Sequence, residues 1–223
     1  MMEAENFVAI IGDIIDSKQI KKRNQAQKKL GKILEEVNIK YKEYIVSKWT
    51  ITLGDEFQVL MKANLEMFKI LDYIAYKMDP IDIRFGIGLG EIYTKINYEM
   101  SIGADGPAYW NAREAIKYIH GNNNYGSGRI SFKSNMENNE IINNLLYYTD
   151  WMKENWTDTQ KEILYGLLEI DTYSENFKQK SLANHLGISE SAMSKRVKTS
   201  GIRLYLLSRN NIAKEITSKG GLK

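Results

Sequence analysis

Two acidic motifs in the N-terminal half of the chain carry the residues best suited to chemistry. Asp13 follows an apolar segment in the motif IIGDIIDS, and Asp55 lies between two apolar segments in the motif TLGDEF. Two carboxylates held close together repel each other unless a cation or a proton joins them. The pair therefore predicts a divalent metal. Because the chain has no Cys and only two His, the metal would sit on carboxylates, which favours Mg²⁺ or Mn²⁺.

Basic residues follow Asp13 at the predicted start of the first helix. Free N–H groups at a helix N-terminus favour anions, and Lys18 and Arg23 are close to this point in the sequence. A metal beside such a helix start predicts a site for a nucleoside triphosphate. Gly54, in the predicted turn next to Asp55, completes the expected cofactor-binding set.

The apolar periodicity predicts the elements that must position these residues. Residues 7–11 form a short buried strand, and residues 21–44 and 65–78 have helical spacing. Residues 46–53 and 57–61 are predicted strands on either side of the Asp55 turn, and residues 81–92 alternate as a fourth strand. The order β-α-β-β-α-β is that of an α+β, ferredoxin-like sheet with both helices on one face. Strand one is central in such a sheet, so Asp13 and Asp55 are expected at one edge. A helix near 107–119 and a strand at 129–132 extend the domain.

The fourth strand has an unusual face, which carries Arg84 followed by Gly86, Gly88 and Gly90. Alternate glycines weaken a strand, so they indicate that something packs very close to this face. A helix and a ligand both satisfy the pattern, and the helix is the simpler interpretation.

Structural roles are also open for the acidic residues and for Arg113 in the motif GPAYWNAREAI. Asp13 could cap the first helix, and Asp55 alone could be a turn residue of a β-hairpin. Glu56 is expected to face solvent or to pair with a Lys. Arg113 could bridge to Asp105 or Glu114, as surface arginines often do.

The C-terminal part has the spacing of a helix-turn-helix, in residues 178–206. Gly187 suits the turn, and Ser189 is a good N-cap for the second helix. The exposed face of that helix is predicted to contact DNA through Ser191, Ser194, Lys195, Arg196 and Lys198. Residues 151–223 have 12 Lys+Arg against 8 Asp+Glu, a net charge of +4, which favours a nucleic-acid partner. Such motifs also bind proteins, so that alternative stays open.

We predict three segments: a ferredoxin-type domain at residues 1–135, a linker helix at 136–154, and an all-α or winged helix-turn-helix domain at 155–223. The chain has no run of 18 apolar residues and no basic signal-like start. We therefore expect a cytoplasmic protein without a membrane partner.

The first 120 residues resemble the palm domain of class III nucleotidyl cyclases and of GGDEF diguanylate cyclases. The resemblance lies in IIGDIIDS, TLGDEF, IRFGIGLGEI and GPAYWNAREAI. It implies that Asp13 and Asp55 bind two metals, that Ile14 offers its backbone carbonyl to a metal, and that Arg113 stabilises phosphate charge. The residues expected to read the base are absent, because Ile51 and Tyr109 occupy their positions.

The same motifs, in that order and followed by a helix-turn-helix, also resemble the SatD family of bacterial proteins. Three hypotheses follow. The first is a DNA-binding transcriptional regulator whose palm-like domain senses a nucleotide or a divalent metal. The alternatives are a cyclase-like nucleotidyl transferase and a degenerate palm domain that serves as a dimerisation scaffold. Palm cyclases work as dimers, so a homodimer is expected if the resemblance extends that far.

Overall fold

The computed structural model of the protein describes residues 5–122, 127–135 and 137–220. Five strands form one sheet: β1 (Phe7–Ile14), β2 (Ile45–Leu53), β3 (Glu56–Lys62), β4 (Ile83–Gly90) and β5 (Ile130–Lys133). Eight α-helices accompany them: α1 (Arg23–Lys40), α2 (Met67–Met78), α3 (Pro107–Asn122), α4 (Asn139–Glu154), α5 (Asp158–Glu169), α6 (Gln179–Leu186), α7 (Glu190–Ser200) and α8 (Ile202–Lys219). A short 3-10 helix, Ser17–Gln19, follows β1.

The sheet is mixed and has the strand order β2-β3-β1-β4-β5. The pairs among β1 to β4 are all antiparallel, whereas β5 runs parallel to β4. The α+β prediction is confirmed, and the elements follow the expected order as far as β4. Because β1 is central, its C-terminal end lies between the ends of β3 and β4.

One face of the sheet carries the main hydrophobic core. Alternate residues of the strands, such as Ile10, Val59 and Ile87, are buried there against α1 and α2. This alternation is what a strand with one covered face requires. The C-terminal helix α8 joins the same core through three residues: Ile212, Ala213 and Ile216.

Helix α3 covers the opposite face and explains the glycines of β4. A Cβ atom on Gly88 would lie 2.1 Å from the carbonyl oxygen of Ala108 and 2.2 Å from the backbone nitrogen of Ala112. A Cβ atom on Gly86 would meet the α3 backbone at 2.4 Å. The expected close packing is therefore confirmed, and a helix makes it.

Side chains of α4 close the outer edge of β5. The amide of Asn143 exchanges two hydrogen bonds of 2.8 Å with the backbone of Phe132, and the amide of Asn139 does the same with Ser134 at 2.8 and 2.9 Å. Four residues rise about 6 Å along a helix, and two residues rise about 6.6 Å along a strand. The two spacings match, so side-chain amides replace a neighbouring strand.

The loop between β4 and α3 closes the other edge of the sheet, at β2. Ser101 is fully buried there, and its hydroxyl donates to the backbone carbonyls of Ser47 and Lys48 at 2.9 and 2.8 Å. The N–H of Lys48 donates to the carbonyl of Tyr98 at 3.3 Å.

All regular secondary structure of residues 137–220 is helical, so this part shows the all-α form and no wing in the region that the structure describes. Helix α4, predicted as a linker, packs against both β5 and α8. Helix α8 also belongs to a second core with α5, α6 and α7, through Tyr205 and Leu206. The two halves therefore share one helix. No helix of the described residues is both long and apolar enough to span a membrane.

A buried ionic cluster lies where the two halves meet. Asp72 of α2 is 3% exposed and accepts hydrogen bonds from Lys153 of α4 at 2.7 Å, from Tyr173 at 2.6 Å and from Tyr205 of α8 at 2.7 Å. Burial opposes ionisation of Asp72, but the charges of Lys153 and Arg209 overcome it and lower the pKa of this carboxyl below its ordinary value. The Asp72 carboxylate thus connects α2 to α4, to the segment between α5 and α6, and to α8.

Candidate functional site

The predicted acidic residues lie at one rim of the sheet, at the C-terminal end of β1. Asp13 is directly opposite Glu56 on β3 and directly opposite Arg84 on β4. Cross-strand partners point to the same face, which here is the face covered by α3. The strands β3, β1 and β4 therefore present Glu56, Asp13 and Arg84 side by side on this face.

Asp13 forms an ion pair with Arg84. The Nε and Nη2 atoms of Arg84 donate to the same carboxylate oxygen of Asp13, at 2.9 and 2.7 Å. The side chains are only 14% and 22% exposed. Burial raises the pKa of Asp13 above its ordinary value; Arg84 acts in the opposite direction, and the charges of Asp55 and Glu56 add to the rise.

Asp55 lies in the turn between β2 and β3. Gly54 has a φ of +63°, the left-handed conformation that favours glycine in a tight turn. The Asp55 carboxylate accepts a hydrogen bond from the hydroxyl of Ser17, and Arg23 at the start of α1 lies 3.8 Å away. The carbonyl of Gly54 accepts a hydrogen bond from Gln27. The start of α1 therefore holds this turn in place.

Glu56 and Arg113 pair with each other across the rim. The guanidinium of Arg113 donates to both carboxylate oxygens of Glu56, with Nη2 2.9 Å from Oε1. The expected partners of Arg113, Asp105 and Glu114, are engaged elsewhere, because Asp105 accepts from Trp110 and Glu114 pairs with Lys133. The prediction that Glu56 faces solvent or pairs with a Lys was wrong. The pair is 57 residues apart in the chain, and no sequence signal joins its members.

The structure thus brings together most of the predicted rim residues. Asp13, Asp55, Arg113, Arg23 and Gly54 are all near this end of the sheet. Two predicted residues have other surroundings. Lys18 is exposed on the 3-10 helix, and the side chain of Ile14 is buried in the core while its N–H donates to the carbonyl of Asp55 at 3.3 Å. Arg84 was not among the predicted site residues, although the alternation of β4 puts it on the glycine face.

The second candidate site is the helix pair α6 and α7. Gly187 ends α6 in the left-handed conformation, with a φ of 64°. Ser189 then caps α7, and its hydroxyl accepts a hydrogen bond from the N–H of Ala192 at 3.2 Å. The inner side of α7 is buried through Met193 and Val197. The burial of Met193 and Val197 therefore determines which side of α7 faces outward.

The outward side of α7 carries four of the five residues predicted to contact DNA: Ser191, Ser194, Lys195 and Lys198. The fifth, Arg196, has a different environment. It is 24% exposed and forms an ion pair of 2.8 Å with Glu162 of α5. Arg196 therefore connects α7 to a neighbouring helix.

A sequence model described as the SatD family matches residues 7–216 of this chain. The chain belongs to the SatD family. A search of curated proteins gave no match.

Two solved structures are similar in part to this SatD-family chain. One is the non-canonical dimeric guanylyl cyclase domain of the RhoGC fusion protein from the aquatic fungus Blastocladiella emersonii, at 18% identity and a TM-score of 0.35, covering 49% of this chain and 72% of that domain. The other is the catalytic core of a rhodopsin-guanylyl cyclase with converted specificity in complex with ATPαS, at 17% identity and a TM-score of 0.32, covering 51% and 74%.

The rim of this SatD-family protein does not fit the expected metal site. Each of its three carboxylates already has an arginine partner: Asp13 has Arg84, Asp55 has Arg23, and Glu56 has Arg113. Among the residues that the structure describes, no three His, Asp or Glu side chains are grouped so as to hold a metal ion. The rim is therefore a set of ion pairs with balanced charge.

Proposed function

We propose that this SatD-family protein is a DNA-binding regulator and that α7 is the helix that contacts DNA. The observation that carries the proposal is the two-sided character of α7. Its inner side is buried in the helical core, and its outer side exposes two serines and two lysines. Serine can hydrogen-bond base edges or phosphates, and lysine neutralises phosphates.

Ion pairs leave the charges of the two outward lysines of α7 uncompensated. Several cations of the C-terminal part are already neutralised by acidic partners: Lys153, Lys180, Arg196, Arg209 and Lys219. Lys195 and Lys198 form no ion pair with any residue in the described ranges, and the same is true of Lys161, Lys178 and Lys214 elsewhere in this part. The charges of Lys195 and Lys198 are therefore available to a phosphate backbone.

The Lys195→Gln variant tests this function. We expect it to reduce the salt dependence of DNA binding, because each lost phosphate contact lowers the slope of log K against log salt by about 1. Affinity should fall roughly 5- to 10-fold at 0.1 M salt. Fluorescence anisotropy of a labelled mixed-sequence duplex, titrated at several salt concentrations, measures both quantities.

The matched control is Lys32→Gln, which removes an exposed lysine from α1. It should leave both the slope and the affinity near the wild-type values. Equal effects of the two variants, or wild-type binding that does not respond to salt, would contradict the proposal.

Arg196 is expected to act on α7 without contacting DNA. Because its guanidinium is paired with Glu162, Arg196→Gln and Glu162→Gln should both loosen the attachment of α7 to α5. A partly exposed pair contributes less than about 1 kcal/mol, so affinity should fall by no more than about fivefold in either variant. The salt slope should stay at the wild-type value. A slope that falls by about 1 only in Arg196→Gln would instead make Arg196 a phosphate contact.

The predicted nucleotide-sensing role of the sheet half and the predicted nucleotidyl transferase activity stay predictions. Both rest on the resemblance of the rim motifs to palm cyclases. The ion pairs at the rim favour the third hypothesis, in which the sheet half is a degenerate palm domain that serves as a dimerisation scaffold.

A further inference from the structure

The position of Arg84 is fixed by the backbone of the sheet. Asp13 and Arg84 are register partners on β1 and β4, one pair before the end of a continuous antiparallel ladder from Phe7 to Ile14. A side chain at such a position cannot leave its partner through a loop movement, because both backbones are held by the ladder. The register therefore keeps the backbones of Asp13 and Arg84 opposite each other, unlike those of two residues in exposed loops.

Removing the charge of Arg84 would leave the rim with an excess of acid. Asp13 faces Glu56 directly on β3, and like charges in that position repel each other. With Arg84 present, three carboxylates are matched by three arginines. Without it, Arg23 and Arg113 would remain against Asp13, Asp55 and Glu56. The guanidinium of Arg84 is thus the group that neutralises the central carboxylate.

A divalent cation would have to displace this guanidinium from Asp13. Arg84 is 14% exposed, and a nearly buried arginine deprived of its partner is strongly unfavourable. The cation would also approach a second positive charge at close range, which raises its energy further. Both effects oppose metal binding in the wild-type protein.

We infer that Arg84 takes the place of the divalent cation at this rim, so that the wild-type protein excludes Mg²⁺ and Mn²⁺ from Asp13 and Asp55. Arg84 is then a residue that determines specificity, because its removal converts an ion-pair cluster into a site for a divalent cation. The inference concerns only the sheet half and is independent of DNA binding by α7.

Mn²⁺ titration of the full chain, followed by the electron paramagnetic resonance signal of free Mn²⁺, tests the inference. The wild-type protein should show no saturable binding that depends on Asp13. The Arg84→Gln variant should bind Mn²⁺ at least roughly tenfold more tightly than the wild type, because a charge within hydrogen-bond distance of the ligand has been removed. Adding Asp13→Asn to Arg84→Gln should abolish that binding.

Arg84→Lys is the control, because it retains a positive charge and should stay without a metal. Saturable Mn²⁺ binding to the wild type that is lost in Asp13→Asn would overturn the inference, and this arm does not depend on the stability of any Arg84 variant. It would also be overturned if a folded Arg84→Gln bound no more Mn²⁺ than the wild type. DNA binding measured on the same samples should be unchanged, which separates this result from the proposed function.

Discussion

Replacing Gly88 with alanine should destabilise the protein by about 3 kcal/mol or more, at the upper end of what overpacking costs. The added Cβ atom would lie 2.1 and 2.2 Å from backbone atoms of α3. Neither atom can rotate away as a side chain would, so α3 has to move off the sheet by about 1 Å. That movement would also disturb the Arg113–Glu56 pair, because Arg113 lies on the same helix. Urea unfolding followed by circular dichroism measures the loss.

Gly121→Ala is the matched control for this prediction, because it makes the same substitution in α3 itself. A Cβ atom at Gly121 would meet no atom within 4 Å. Alanine is the better helix former by up to about 1 kcal/mol, so this variant should be neutral or slightly more stable. If the two substitutions changed the free energy of unfolding equally, the close packing of α3 on β4 would be refuted.

Replacing Asp72 with alanine should have an effect of similar size, about 3–5 kcal/mol. The substitution leaves Lys153, Tyr173 and Tyr205 without their acceptor, and it leaves the charge of Lys153 uncompensated. Because these residues come from both halves, we expect the attachment of the helical half to weaken first. Urea unfolding should then become broader or biphasic, whereas the wild type should unfold in one transition.

Glu99→Ala is the control for Asp72→Ala, because it breaks an exposed ion pair with Lys48. The side chains of Lys48 and Glu99 are 47% and 76% exposed. The effect of Glu99→Ala should stay within about 1 kcal/mol. A comparable loss in both variants would show that the Asp72 cluster contributes no more than a surface contact.

The pH dependence of stability gives a second measure of the Asp72 cluster. The pKa of Asp72 is lowered in the folded protein, so its contribution is present above the unfolded pKa of about 4 and is lost as the pH falls through the folded value. The wild type should therefore lose stability on acidification below about pH 4. Asp72→Asn should lose less over the same range, and an identical loss in the two proteins would contradict this assignment.

The sequence predicted the elements of the fold well because its signals are local. Alternation predicted β4 and its glycine face, and Gly187 with Ser189 predicted the α6–α7 turn, since both patterns depend on neighbouring residues. Contacts between residues that are far apart in the chain could not be predicted in this way. Arg84 meets Asp13 across 71 residues, and the pairing depends on strand register, which no single segment encodes. Likewise, no local pattern within α8 shows that its buried residues serve two cores.

At the rim, the position of the acidic residues could be predicted from the sequence, but the groups that neutralise them could not. Two acidic motifs at the right spacing predicted that Asp13 and Asp55 lie at one end of the sheet, because the topology requires it. The identity of the neutralising group depends on which cations the other elements place beside them. Arg84, Arg113 and Arg23 come from β4, α3 and the start of α1, and only the assembled structure shows that each arginine has its own carboxylate.

The closed margins of the sheet limit how two copies of this protein can associate. Exposed backbone N–H and C=O groups on a terminal strand are what allow another chain to add to a sheet. Asn143 occupies these groups at Phe132 of β5 and Asn139 occupies them at the adjacent Ser134, while Ser101 and its loop occupy groups of Ser47 and Lys48 on β2. These contacts oppose growth of the sheet from one molecule into the next at both margins, so we expect the predicted homodimer to assemble through contacts between helices or loops.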